Sequence, residues 1–257
     1  MNIIPLPAFR DNYIWLIHDG RHAAVVDPGD ARPVEDFLAS QGLTLTAILV
    51  THHHPDHVGG VADLVTRHPV PVFGPATERI AGIDRPLSEG DIVVLDELGL
   101  SLSVLDVPGH TAGHIAYYAA APAPGALFCG DTMFSAGCGR LFEGTAAQMS
   151  ASLAKFAALP DSTRVYCTHE YTLSNLAFAR AAEPVNAARD EYARRCEALR
   201  AENRPTLPST IALEKAVNPF LRCGEDSVIA TLAERSGSRP ADAVASLAAL
   251  RAWKDVF

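Results

Sequence analysis

The sequence predicts an α/β fold closed by an all-helical tail. Three observations point there. Short β-like runs fill the first two thirds of the chain, helical patterns fall between some of them, and strand signal nearly vanishes after His169.

Residues 13–18, 23–27, 45–51, 101–107, 114–119, 126–130 and 164–168 mix β-branched or aromatic residues with other apolar ones. Each run is bounded by Gly, Pro or Asp, which is the signature of a strand. Residues 33–40, 60–67 and 146–158 carry apolar residues at helical spacing. Strands interleaved with helices imply sheets covered by helices. Beyond residue 173, the segments 176–182, 185–200, 225–236 and 241–253 are rich in Ala, Leu, Glu and Arg and predict helices. Pro205, Pro208 and Pro219 punctuate them. The change in character falls near residues 165–172, which divides the chain into a first domain, 1–168, and a helical second domain, 169–257. There is no internal repeat.

The chain has 257 residues, enough to bury a proper core. Its formal net charge of -9 disfavours a phosphate backbone, so nucleic acid is not an expected partner. The apolar stretch at 115–129 is interrupted by Pro122 and Pro124 and falls short of a membrane span, so no membrane partner is expected. Residues 1–13 show no basic start followed by an apolar run, so no signal peptide is expected. Cys129, Cys138, Cys167, Cys196 and Cys223 are odd in number and lack a C-x-x-C pair. They read as reduced thiols in a cytoplasmic protein.

The chemistry is concentrated at residues 47–60, A-I-L-V-T-H-H-H-P-D-H-V-G-G. An apolar strand runs straight into four histidines and an aspartate. On extended chain alternate side chains share a face, so His52 and His54 point together and His53 points away. Pro55 then turns the chain and aims Asp56 and His57 at a second point. A solvated or tag-like histidine tract explains a run at a terminus. It does not explain one at a strand's carboxyl end with Asp inside it, and H-x-H-x-D-H is far more specific than a lone H-x-H. His110, Asp131 and His169 each follow a further apolar strand. Sites at strand ends recur in α/β layers. An all-nitrogen-and-oxygen donor set suits zinc, iron or manganese.

H-x-H-x-D-H, then G-H, then G-D-T, then a late T-H-E resembles the metallo-β-lactamase superfamily, over residues 1–169. The resemblance implies a four-layer αββα sandwich with two divalent metal ions at its rim, followed here by a small all-α domain. By motif, His52, His54 and His110 would hold one ion, Asp56, His57 and His169 the other, and Asp131 would bridge them. His53 and His114 are not ligands in this scheme. His114 is expected to be packed or hydrogen-bonded, and Asp27 to support the ligands from behind. Asp56 and Asp131 are the carboxylates expected at the reacting centre. A water shared by two dications loses its proton near neutral pH, because metal binding lowers its pKa from 15.7 to roughly 7. The four positive charges exceed those of Asp56, Asp131 and the hydroxide, which favours an anionic transition state.

Further motifs narrow the family. C-T-H-E-Y-T-L-S-N-L-A-F-A at 167–179, G-C-G-R-L-F-E-G-T at 137–145, L-R-A-W-K-D at 250–255 and F-R-D-N-Y at 9–13 are similar to the glyoxalase II, or hydroxyacylglutathione hydrolase, family. That likeness spans essentially the whole chain. It implies hydrolysis of S-D-lactoylglutathione to D-lactate and glutathione, with zinc as the expected metal and iron or manganese as alternatives. A monomer acting on a small-molecule thioester is expected. Arg140, Phe142, Tyr171, Arg251 and Lys254 would contact the glutathione moiety, whose two carboxylates call for local cations. Some members carry Lys at the position of Arg140, which keeps the charge, and Tyr at that of Phe142, whose hydroxyl is lost here. Without the resemblance, Arg251 and Lys254 read as solvated cations favoured by a helix carboxyl end. Tyr171 reads as core, Cys138 as packed in a turn, and Asn12 and Tyr13 as packing around the site.

Three rivals come with this reading. A persulfide dioxygenase on the same fold would use one iron and would not need Asp56, His57 and His169. An RNA-processing nuclease would need an extended basic surface, which the net charge opposes. A structural metal module would not need an open two-metal ligand set.

Overall fold

A computed structural model of the chain describes residues 1–257. The elements, in chain order, are β1 (Asn2–Ala8), β2 (Asn12–His18), β3 (His22–Val26), α1 (Ala31–Gln41), β4 (Thr44–Leu49), α2 (Pro55–Val58), α3 (Val61–Arg67), β5 (Val72–Pro75), β6 (Arg85–Leu87), β7 (Ile92–Leu95), β8 (Leu100–Asp106), β9 (Ile115–Ala119), β10 (Ala126–Gly130), β11 (Met133–Phe134), β12 (Gly137–Cys138), α4 (Ala146–Ala157), β13 (Arg164–Cys167), α5 (Thr172–Ala182), α6 (Ala187–Ala201), β14 (Ser209–Thr210), α7 (Ile211–Val217), α8 (Asp226–Ser236) and α9 (Ala243–Lys254). None of these helices is long and apolar enough to cross a membrane.

One six-stranded sheet runs in the order β1-β2-β3-β4-β5-β6. Its first three strands are antiparallel and the rest pair in parallel. The second sheet runs β14-β13-β10-β9-β8-β7, and β11 and β12 form a separate hairpin. Every strand expected from the sequence is present within one or two residues at its ends. The sequence pattern did not reveal β1, whose Pro5 and Pro7 argue against a strand. It exists because it is the outer strand of its sheet. Two prolines two positions apart withhold donors on the same side, and on an outer strand that side needs no partner. The short β5, β6 and β7, the two-residue β14 and helix α7 carry too little pattern to be read from sequence.

The chain forms two compact units that interleave along the sequence. The first comprises Met1–Asp106, Ala112–Gly130 and Tyr166–His169, and the second Val107–Thr111, Asp131–Val165 and Glu170–Phe257. In the first unit, Leu6, Ile14, Leu16, Val25, Ile48 and Val50 pack with Val34 and Leu38 of α1 and Val61 and Leu64 of α3. Helix α1 faces this core with Ala31, Val34 and Leu38, a helical spacing, and begins where the Asp30 side chain accepts the Arg32 N–H. β2 is buried along nearly its whole length, as a strand covered on both faces must be. In the second unit, Leu176, Tyr192, Ala193, Cys196 and Val217 join α5, α6 and α7 around Ala136 of the β11–β12 hairpin. Helix α4 starts on a reciprocal cap in which Thr145 and Gln148 satisfy each other's backbone. All five cysteines are buried.

Candidate metal centre

The histidine-rich run occupies the loop after β4 and the short helix α2. Its shape is set from behind by Asp27, which sits just past β3 in left-handed backbone at φ 53°. The Asp27 carboxylate accepts the Thr51 N–H at 2.7 Å through Oδ1 and the Thr51 hydroxyl at 2.8 Å through Oδ2. Two glycines let the backbones close up. A side-chain carbon at Gly29 would lie 1.9 Å from the Asp56 carbonyl oxygen, and one at Gly60 would lie 2.5 Å from the Ala31 nitrogen. Pro55 opens α2, where its missing N–H costs nothing.

Within the first unit this brings five of the seven expected ligands to one region. His52 and His54 do point together, with Nε2 of His52 3.1 Å from Nδ1 of His54. Asp56, His57 and His169 form a group whose ligand atoms all lie within 4.8 Å of one another. Asp56 Oδ2 is 3.6 Å from His57 Nε2 and 3.4 Å from His169 Nε2. The other two ligands stand together in the second unit, with His110 Nε2 3.4 Å from Asp131 Oδ2. His52, His57, His110, Asp131 and His169 are all buried.

The far side of each ring decides what these histidines can do. His57 Nδ1 lies 3.0 Å from Asp27 Oδ2, and His169 Nδ1 lies 2.8 Å from Asp11 Oδ1. His110 Nδ1 lies 2.9 Å from the Arg140 carbonyl oxygen. Carbonyl and carboxylate oxygens only accept, so Nδ1 carries the proton in His110 and in His169, whose contacts are hydrogen bonds. Nε2 is the nitrogen turned toward Asp56 or Asp131, and a cation placed between that nitrogen and the carboxylate would take the lone pair of each. Buried imidazoles held at Nδ1 by an oxygen acceptor are the arrangement of metal ligands. The donor set, imidazole and carboxylate without thiolate, fits a divalent zinc, iron or manganese ion.

The supporting residues divide into expected and unexpected. Asp27 Oδ2 lies beside His57 Nδ1, the position expected of it. His114 is fully buried and stacks on His52 with ring centroids 4.6 Å apart, so it is a packed neighbour. Tyr117 donates its hydroxyl to the Val50 carbonyl at 2.8 Å. Burial, with the nearby Asp27 charge, pushes that phenol well above its usual range, so it stays neutral. Asp11 was not singled out by sequence reasoning. Asn12 is more than packing, since its amide donates to Asp56 Oδ2 at 3.0 Å. The motif F-R-D-N-Y was the available signal, but nothing in its spacing points to His169.

The five residues expected to meet glutathione all lie in the second unit. Phe142 is 61% exposed and sets its ring edge-on to His110, centroids 5.3 Å apart. Tyr171 caps α5 and packs edge-on against Phe134 at 5.2 Å. Arg140 is exposed, 3.6 Å from Asp255 Oδ1. Arg251 departs from the solvated reading: it is buried, donates to the Cys138 carbonyl at 2.7 Å and pairs with Asp255 at 3.0 Å. Lys254 donates to Asn175 Oδ1, with its ammonium 5.4 Å from the Phe178 ring centroid. Burial lowers its pKa to about 8, with repulsion from Arg251 the next cause. Cys138 is buried, and burial raises its thiol pKa, which removes it as a nucleophile. Asp255 and Asn175, which hold these cations, were not foreseen.

Known proteins match this arrangement. The metallo-β-lactamase superfamily profile matches residues 8–169, and that of the hydroxyacylglutathione hydrolase C-terminus matches residues 170–257. A hydroxyacylglutathione hydrolase of Cupriavidus taiwanensis is 60% identical, covering 100% of this chain and 99% of its own. Among solved structures, ETHE1 from Myxococcus xanthus is 26% identical with a TM-score of 0.66, covering 99% of this chain and 100% of that one. TTHA1623 in a di-iron-bound form is 27% identical with a TM-score of 0.60, covering 84% and 99%. The fold is thus the metallo-β-lactamase fold, sheets flanked by helices, with a helical carboxyl-terminal domain. The chain belongs to the hydroxyacylglutathione hydrolase family of the metallo-β-lactamase superfamily.

Proposed function

We propose that this protein hydrolyses S-D-lactoylglutathione and related 2-hydroxyacylglutathiones to the 2-hydroxy acid and glutathione, the second step of methylglyoxal detoxification. The observation that carries the reading is the set of buried imidazoles presenting Nε2, with an oxygen acceptor hydrogen-bonded to Nδ1 of His110 and of His169 and the Asp27 carboxylate beside Nδ1 of His57. His52, His54 and His110 would hold one divalent cation, Asp56, His57 and His169 a second, and Asp131 would bridge, with zinc the first candidate. When bound, such ions acidify water and polarise a carbonyl.

The chain's own groups do the rest. Asp56 and Asp131 place anionic oxygens where the attacking water must be oriented. Water adds to the thioester carbonyl, and collapse of the tetrahedral adduct re-forms the carbonyl and breaks the C–S bond, the water's protons passing to solvent as the product carboxylate forms. The glutathione sulfur leaves as a thiolate of pKa near 8.5 and needs no strong acid beside it. Arg140, Arg251 and Lys254 would meet the glutathione carboxylates, and Tyr171 and Phe142 would pack against the peptide. In this reading 1–168 is the catalytic domain, 169–257 binds glutathione, and the protein acts as a cytoplasmic monomer.

A thiol-release assay on S-D-lactoylglutathione, with metal quantification, tests it. Two metals per chain are expected. Stripping them should lower the rate by about three orders of magnitude or more, since several kcal/mol of transition-state stabilisation is removed. Undiminished thiol release from metal-free protein would sink the proposal. One iron per chain with oxygen consumption would favour the dioxygenase alternative, which the 60% identical relative does not favour.

A further inference from the structure

The turn between β1 and β2 gathers features that the hydrolytic reading does not use. Phe9 sits in left-handed backbone at φ 51°, a conformation a bulky residue adopts only when its surroundings impose it. Its ring is 61% exposed, so burial of that ring does not impose the strain. The residues that follow it, 11–13, are held by the ligand region. Asp11 Oδ1 lies 2.8 Å from His169 Nδ1. Asn12 donates its amide to Asp56 Oδ2 at 3.0 Å and pairs as an isolated bridge with His169. Tyr13 donates its N–H to the Thr168 carbonyl at 2.6 Å.

Two consecutive side chains of one turn therefore hold two members of the Asp56–His57–His169 group, one on each side. Asp11 fixes the tautomer and the rotation of the His169 ring. Asn12 fixes which way Asp56 Oδ2 faces. The remaining imidazoles take their support elsewhere. His57 Nδ1 lies 3.0 Å from Asp27 Oδ2, His110 is held by the Arg140 carbonyl, and His52 Nδ1 lies 3.1 Å from the Thr51 hydroxyl.

We infer that the turn at residues 9–12 is a clip that sets how tightly one of the two cations is retained, the one assigned to Asp56, His57 and His169. Asp11 and Asn12 act as positioning residues. The inference rests on the ligand assignment proposed above. It adds that the two cations differ in what secures them, so that one can be loosened alone.

The test is chelator competition on the zinc-loaded protein, reading metals per chain against free zinc, for the parent and for Asp11→Ala, Asp11→Asn and Asn12→Ala. Removing an outer partner of a ligand typically weakens metal binding 10–100-fold. The alanine variants should therefore bind one zinc that much more weakly and the other within about two-fold of the parent. Asp11→Asn, which keeps an acceptor oxygen, should fall between and remains informative if an alanine variant does not fold. kcat should track occupancy of the weakened site while KM stays unchanged. Retention of both zincs at parental affinity, or loss of both in parallel, would overturn the clip. His169→Ala separates this failure from that of the underlying assignment. If it also retains two zincs, the ligand assignment is wrong. If it loses one while the turn variants lose none, only the clip is wrong.

Discussion

The metal-ligand region and the cation cluster of the second unit both place charged or polar side chains at a candidate site, yet they are held in opposite ways. The imidazoles are fixed by acidic or carbonyl oxygens on the face away from their neighbours, so their working atom is Nε2. The cations have no such rear support. Arg251 spends hydrogen bonds on the Cys138 carbonyl and Asp255, and Lys254 on Asn175. One region is organised by partners behind the ligands. In the other the partners engage the same charged atoms that a substrate carboxylate would seek. The first should therefore respond to substitution through metal retention, the second through KM and pH.

The largest expected effect lies at Asp27. Its two oxygens accept from the Thr51 N–H and hydroxyl, Oδ2 also lies 3.0 Å from His57 Nδ1, and it is buried. Asp27→Asn would turn an amide donor or a single acceptor toward groups that need two acceptors. Metal affinity should fall about 10–100-fold. The metal-free protein should lose roughly 1–3 kcal/mol through unsatisfied buried donors. Chelator competition and urea unfolding measure the two separately. Unchanged metal affinity would mean that support from behind the rings does not distinguish the two regions.

Much of this first region was legible because four of its seven expected ligands lie close together in sequence. His52, His54, Asp56 and His57 lie within one loop, and strand alternation alone puts His52 with His54. His110, Asp131 and His169 were visible as polar residues just beyond apolar strands. The partners were not legible, because hydrogen bonds between distant segments leave no spacing to read. Asp11 meets His169, and Asn12 meets Asp56, only once β1 and β2 are folded beside the end of β13. β1 itself was hidden by prolines that an outer strand tolerates. The same limit applied to Arg251. Its place in the last turn of α9 suggested a solvated cation, but its guanidinium is covered and reaches back to Cys138.

Arg251 supplies the next effect in size. Arg251→Met keeps much of the apolar stem and removes the guanidinium, leaving the Cys138 carbonyl and Asp255 without it. A hydrogen bond to a charged group contributes about 1.5–3 kcal/mol. If the guanidinium also meets a glutathione carboxylate, with an interaction of that size, KM for lactoylglutathione should rise by about ten-fold or more, with metal content unchanged. Arg251→Lys should not restore it, since a single ammonium cannot reproduce a planar fork shared between two acceptors. A rise in KM accompanied by loss of zinc would dissolve the distinction between the regions.

The smallest effect, and the sharpest probe of the cation cluster, is the pH response of Lys254. Burial, then repulsion from Arg251, lowers its pKa from 10.5 to about 8, and Arg140 repels it too, while Cys138 and Asp255 act in the opposite direction. Because the folded value lies below the unfolded one, the ammonium is the disfavoured form in the fold. Between about 8 and 10.5 the unfolded chain binds more protons, so this group's contribution to stability rises with pH over that window. Binding runs the other way. If the charge meets a substrate carboxylate, KM should climb as pH passes about 8, reaching several-fold by the point at which most of Lys254 is neutral. Lys254→Met should show a raised KM that is flat over the same range, which separates this titration from that of the substrate's own amine. A parental KM that does not move between about pH 7 and 9.5, a range spanning the lowered value, would mean that Lys254 serves Asn175 and the fold alone, leaving Arg140 and Arg251 to hold the carboxylates.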